Sequence, residues 1–186
     1  MRGYFRAFAV GLLLFSGAST ASAQTIDASA RTGAGQSAKL SAAAVPGSGV
    51  TLEIALPDGR KQTLAGLGEE LTPLGGKPGD KALMVLDIDN DGIDEIFVRV
   101  AMPPQLGTLI VFRWNSVYGE FAPVEFTDER DQKSRFLAVD FALPVSIDPS
   151  GKIEAQFVSE RADGRKSYYV ARYRWSGNGY VQSADN

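Results

Sequence analysis

Val85 to Val100 reads VLDIDNDGIDEIFVRV, and nine of those residues hold five carboxylates: Asp87, Asp89, Asp91, Asp94 and Glu95. The flanks LMVL and IFVRV are short aliphatic runs, so they read as strands and the acidic segment as the loop between them. Numbered from Asp87, carboxylates fall at positions one, three, five and nine, Gly92 falls at six, and Ile93 offers a backbone carbonyl at seven. Calcium takes six to eight oxygen ligands at about 2.3–2.6 Å, and a glycine allows the sharp turn that wraps them round the ion. The spacing fits calcium. The alternative is an acidic turn with no ion, in which like charges held in one tight loop repel each other. A helix-loop-helix site is excluded, because its twelfth position needs a bidentate glutamate and here it is Val98, with strands on both sides.

Outward from this loop every clear element reads as a strand. Upstream, Leu52, Ile54 and Leu56 alternate with polar residues, Pro57-Asp58-Gly59 makes a turn, and Gln62 to Ala65 returns as the second arm of a hairpin. Residues 24–49 are rich in Ala, Ser, Thr and Gly with no sustained apolar period, and are expected to be a flexible lead-in to a β-domain spanning 50–186. Downstream, EIFVRVAM, TLIVFRWN, EFAPVEF, FLAVDFAL, KIEAQFVSE, KSYYVARYRW and YVQSA read as successive strands. The charged run from Thr127 to Arg135 is expected to be a solvated loop or a single helical turn.

Two parts of this series are alike. LIVFRWNSVYGEF, 109–121, resembles YVARYRWSGNGYV, 169–181, with Arg113-Trp114 matching Arg174-Trp175 at an offset of 61. Upstream, Gly92 matches Gly151 and Glu95 matches Glu154 at an offset of 59. A repeat of that length, with room for about four short antiparallel strands, has the size of a propeller blade or a stacked sheet unit. The predicted fold is therefore all-β, an antiparallel meander of two or three blade-like units. Trp114, Trp175, Phe97, Phe112, Tyr173 and Phe157 alternate with polar neighbours as core residues do; Tyr118, Tyr168 and Tyr180 stand near turns, where an exposed binding face is the other option.

Composition narrows the chemistry. With no histidine, the common general base, the common zinc ligand and every Ser-His pair are missing. With no cysteine there is neither a disulfide nor a lipid-bearing thiol. Residues 1–23 carry Arg2 and Arg6, an apolar run from Phe8 to Phe15, and Ala21-Ser22-Ala23 before Gln24, the pattern of a Sec-type signal peptide. That run is shorter than the roughly 20 residues needed to span a bilayer, so a periplasmic or secreted protein without a membrane span after cleavage is expected. Removing Arg2 and Arg6 leaves 17 basic against 22 acidic residues, a formal net charge of -5, which argues against nucleic acid as partner. Catalysis would have to rest on carboxylates, lysine or tyrosine. Asp140 in LAVDFAL is the best candidate for a buried acid, but it has no evident partner, and no catalytic residue is assigned.

The loop fits the pattern D-x-D-x-D-G-x-x-[DE]-[ILV] between strands, and on those residues the chain resembles the FG-GAP and VCBS-like repeats of integrin-type propellers and of many exported bacterial proteins. The resemblance implies Asp87, Asp89, Asp91 and Glu95 as side-chain ligands and Ile93 as a main-chain ligand of calcium, with Asp94 adding negative field only. The chain lacks the Phe-Gly and Gly-Ala-Pro signatures of those repeats. In its second loop Ser146, Asp148 and Ser150 stand where the first has aspartates, so one cation is expected rather than two. The chain is too short for a complete propeller. The function this implies is a non-enzymatic binding module stiffened by calcium, whose partner is another envelope protein or a cell-wall glycan. Its sharpest form is a periplasmic inhibitor or immunity protein against cell-wall hydrolases. The rival readings are a carbohydrate-binding protein, a carboxylate-dependent glycoside hydrolase, which needs two carboxyl groups facing across a cleft, and a structural subunit of an envelope assembly.

Overall fold

The computed structural model describes residues 24–75, 80–102, 106–160 and 164–183; the expected signal peptide lies outside the described residues. The protein is all-β, and among the described residues there is no helix.

Residues 24–49 are not a flexible lead-in. They form β1 (Gln24–Gly33) and β2 (Gln36–Val45), which continue through β3 (Gly49–Ala55) and β4 (Lys61–Leu64) as a four-stranded antiparallel meander. The β-domain therefore includes residues 24–49 and does not start at residue 50. The period-two pattern is present but written in small residues: Ala30, Ala38, Leu40 and Ala42 turn inward and are buried together with Val50, Leu52 and Ile54. Alanine buries little area, so the pattern is faint in the sequence and is fixed by the larger apolar face it meets.

That face belongs to a second sheet, built from β5 (Glu70–Leu71), β6 (Leu83–Leu86), β7 (Glu95–Met102), β8 (Leu106–Asn115) and β9 (Glu120–Pro123). β7 and β8 are its long central pair; β5 and β6 both pair with β7, and β9 pairs with β8. Both faces of this sheet are covered. Ile96, Val98, Val100, Ile110 and Phe112 pack against the first sheet, while Phe97, Leu109 and Val111 pack against a third. A strand buried on both faces loses its alternation, which is why IFVRV reads as one apolar run.

The third sheet comes from β10 (Glu125–Thr127), β11 (Lys133–Ser134), β13 (Val145–Ile147), β14 (Ile153–Glu160), β15 (Lys166–Trp175) and β16 (Gly179–Ser183), while β12 (Leu137–Asp140) returns to pair with β8. The chain changes sheets between β9 and β10, and β10 pairs with β16 in parallel, a departure from a purely antiparallel meander. Among the described residues no sheet closes into a barrel. The charged run after β10 is a turn in which the Asp128 carboxylate accepts the Arg130 and Gln132 amides, followed by β11.

The two sequence repeats are two equivalent meanders, β6 to β9 and β13 to β16. Trp114 lies opposite Phe121 and Trp175 opposite Tyr180, each pair edge-on with ring centroids 5.4 Å apart. The ion pair between Glu95 and Arg113 has its counterpart in Glu154 and Arg172, so Arg113 corresponds to Arg172 and not to Arg174. Between these two markers β15 holds two extra residues. An insertion of two leaves every side chain on its own face, so the duplication tolerates it. Phe97, Phe112 and Tyr173 are buried core; Tyr118 and Tyr168 are exposed; Tyr180 is fully buried, stacked on Phe126, and is no part of an exposed face.

Midway along β7, the fully buried Arg99 donates to five backbone carbonyls: Pro73 (2.6 Å), Leu74 (3.0 Å), Asp140 (2.9 Å), Phe141 (3.1 Å) and Leu143 (2.7 Å). Burial lowers its pKa, against the opposing pull of Asp140. It pins the segments following β5 and β12 to the central sheet. Asp140 contributes its carbonyl to this hub, while its carboxylate accepts the Ala142 amide in an exposed turn and is not a buried acid. A lysine places one compact ammonium where a planar fork served two segments. Arg99→Lys is therefore expected to lower unfolding stability by about 2–4 kcal/mol, read as a lower urea midpoint with unchanged slope.

Candidate metal centre

The loop between β6 and β7 is shaped by its own carboxylates. Asp87 accepts the amides of Asp91 and Gly92 (both 3.1 Å), and Asp91 accepts the amide of Ile93 (2.8 Å). Asn90 and Gly92 take positive φ, 58° and 84°, a conformation that a glycine adopts without a steric penalty. Folded back in this way, Asp87, Asp89 and Asp91 each bring one carboxylate oxygen to within 4.8 Å of the others. An aspartate triad of this kind can hold a metal ion.

The remaining sequence-predicted residues lie close by in different surroundings. Glu95 opens β7, is fully buried, and accepts the Ile88 amide at 3.2 Å. Ile93 is held by a single β-bridge to Thr32 of β1. Asp94 does more than add negative field. Its carboxylate is buried and accepts from the Arg31 backbone amide (2.6 Å) and from the Arg31 guanidinium, at 2.9 Å from Nε and 2.6 Å from Nη2.

Two arginines meet the loop. Arg31, from β1, reaches Asp94 and also Asp87 (2.8 Å). Arg113, from β8, donates to Asp89 (3.0 Å), Asp91 (2.6 Å) and Glu95 (2.8 Å), and its guanidinium carbon lies 5.0 Å from the centre of the Trp175 ring. The Trp175 Nε1–H in turn donates to Asp89 at 3.2 Å. The loop thus touches all three sheets, through Arg31, Arg113 and Trp175. Five carboxylates against two guanidiniums leave a formal excess of three negative charges.

Burial dominates the electrostatics of Glu95 and lifts its pKa from 4.5 to about 7; the Ile88 amide and Arg113 oppose the rise, and Asp89 and Asp91 add to it. Asp89 goes the other way: against the cost of its own burial, Arg113 and Trp175 hold it below the usual carboxylate value. The second loop, between β13 and β14, is built with one aspartate. Asp148 accepts the amides of Ser150 (2.9 Å) and Lys152 (3.0 Å), and Glu154 is half-buried and paired with Lys152 and Arg172. Gly151 at φ 75° packs against Ile88 of the first loop, where an added Cβ would come within 2.6 Å of the Ile88 Cβ.

The structure brings Asp87, Asp89 and Asp91 together and joins Glu95 to Asp89 and Asp91 through Arg113. Arg31 escaped sequence reasoning because it lies in the segment read as flexible. Arg113 was visible only as half of a repeated Arg-Trp pair; its place one step beyond the Ile96–Phe112 ladder pair, opposite Glu95, is the signal that could have found it. The chain matches no family model, no curated protein and no solved structure.

Because the pKa of Glu95 is about 7 in the folded chain against an ordinary 4.5, the folded form binds this proton more tightly than the unfolded chain does. The stabilisation it gives is complete below the ordinary value and is lost as pH rises through about 7. In the presence of chelator, stability is expected to fall between roughly pH 5 and pH 7.5 by an amount on the order of 3 kcal/mol, and Glu95→Gln is expected to flatten that slope. Urea unfolding at three pH values in this window checks it.

Proposed function

We propose that this protein is an exported, calcium-binding β-module that acts by recognition and not by catalysis, its partner being another envelope protein or a cell-wall glycan. One observation carries the metal reading: an aspartate triad whose oxygens converge within 4.8 Å, beside a fully buried glutamate, in a loop left with excess negative charge. Asp87, Asp89, Asp91 and Glu95 would hold the ion through side chains and Ile93 through its carbonyl. The donors are all oxygens, the set a hard divalent cation prefers. The ion's contribution is rigidity, since this loop joins the three sheets. A non-enzymatic role is favoured by Asp140, the acid singled out in the sequence, whose carboxylate caps an exposed turn. The exposed Tyr118 and Tyr168 supply aromatic contact surface of the kind recognition uses.

Calorimetric titration with calcium and thermal melting with and without chelator test the reading. Ligand at 100 times its dissociation constant stabilises the folded form by about 2.7 kcal/mol, so a clear rise in melting temperature is expected for the parent. The double variant Asp87→Ala, Asp89→Ala is expected to lose the calcium-induced rise, whatever its melting point in chelator. An equal rise in parent and variant would sink the site. Retention of a muramidase or amidase from periplasmic extract on the immobilised protein would favour the inhibitor form, and retention of polysaccharide the carbohydrate-binding form.

A further inference from the structure

The loop's carboxylates divide their oxygens between two tasks. Asp91 Oδ1 and Glu95 Oε2 are committed to the amides of Ile93 and Ile88, and both oxygens of Asp87 to amides of the turn. Facing Arg113 are Asp89 Oδ2, Asp91 Oδ2 and Glu95 Oε1, and its guanidinium donates to all three. A divalent cation seated in the loop needs oxygens of these same carboxylates at about 2.3–2.6 Å, which sets its charge against that of the guanidinium they already hold. The two positive groups exclude each other. Glu95, fully buried, requires one or the other beside it.

A second feature points to a ligand at this place. Among the described residues the buried Tyr180 hydroxyl has no hydrogen-bond partner. Its ring meets that of Trp175, whose Nε1–H holds Asp89. A buried donor of this kind is normally satisfied, and an oxygen carried by a bound cation would satisfy it.

A displaced Arg113 has somewhere to go. It already lines a cleft of about 530 Å³ together with Asn115, Ser116, Glu125, Arg135 and Asn178. Glu125 is engaged by Lys133 at 2.6 Å, and the Asn115 carbonyl oxygen caps the turn amides of Val117 and Tyr118, so its NH2 group is left to face outward. Arg135 is exposed and makes no ion pair among the described residues. With Arg113 released, the cleft would hold two guanidiniums, two side-chain amides, a hydroxyl and the Glu125 carboxylate, whose charge Lys133 already meets. Paired guanidiniums suit a carboxylate, and the amides and hydroxyl suit its neighbouring hydroxyl groups.

We infer that this cleft binds a carboxylate-bearing sugar unit of the uronic acid type, and that cation loading of the acidic loop opens it by transferring Arg113 from the loop carboxylates to the cleft. The inference rests on the calcium reading above. Linkage then requires the acidic sugar to tighten cation binding by the same factor.

The test uses the mature chain and D-glucuronate, titrated by calorimetry and by backbone NMR, with calcium and with chelator. Glucuronate is expected to bind about fivefold tighter or more with calcium, to shift the Arg135 and Asn178 resonances, and to lose binding in Arg135→Gln; its uncharged methyl ester is expected not to bind. Arg113→Gln is expected to bind calcium roughly tenfold tighter than the parent, and to show no calcium dependence of glucuronate binding. Should that variant fail to fold without calcium, Arg113→Lys, whose single ammonium lacks the planar fork that spans the three oxygens from two nitrogens, replaces it. A parent that binds no calcium overturns the metal reading itself. A parent that binds calcium, with Arg113→Gln no tighter, or with glucuronate binding absent or equal in chelator, overturns the transfer and leaves the metal reading standing.

Discussion

A carboxyl group with no access to water stays ionised only with a positive group beside it, and Glu95 sets that condition at the meeting of the three sheets. It stands at the first residue of the central strand, on the face shared with the third sheet, where an unpaired charge would cost more than most single contacts return. Arg113 answers it from the neighbouring strand, and the same guanidinium collects Asp89 and Asp91 and lies over Trp175. The aim of Asp89 and Asp91 and the contact of the loop with Trp175 of the third sheet are tied to the guanidinium that neutralises this one buried group.

The position of the loop turns a local balance into a global one. The central sheet is covered on both faces, so the three layers meet around it and their relative placement depends on side-chain packing together with whatever ties their ends. At one end Arg99 binds the segments after β5 and β12 through carbonyls alone. At the other, the acidic loop holds β1 through Arg31 and Asp94, β8 through Arg113 and β15 through Trp175. A change of occupant in the loop would be felt by all three layers, and by the cleft beside Trp114 that Arg113 borders.

Much of this was legible in the sequence. The strands of the central and third sheets declare themselves through Val, Ile and aromatic residues, and the spacing of Asp87, Asp89, Asp91 and Gly92 announces the loop. The first sheet's two opening strands were hidden because their inward positions are alanines, whose small burial is worth having only against a large partner face. For the same reason Arg31 was out of view. Tyr180 was misread because nearness to a turn says nothing about facing: cross-strand placement opposite Trp175 sends it inward. Arg99 carries no pattern at all, since five carbonyl partners from two distant segments leave no trace in spacing.

The duplication separates what the turn needs from what it has. In the second meander a single aspartate, Asp148, caps the turn amides of Ser150 and Lys152, the glycine again takes positive φ, and β14 pairs with β15 in the register of β7 with β8, while β13 meets β14 one residue out of step with β6 and β7. That loop needs neither three aspartates nor a fully buried glutamate; its Glu154 is half-buried and paired with Lys152 and Arg172. The first loop puts its positive-φ glycine at the same place, yet carries Asp87 and Asp91 besides Asp89, the counterpart of Asp148; it turns Asp89 Oδ2 and Asp91 Oδ2 toward Arg113 and buries Glu95 at an energetic cost. Since the fold is achieved without those groups one repeat away, their presence answers a requirement other than folding, and a positive occupant, whether guanidinium or divalent ion, is the requirement their geometry expresses.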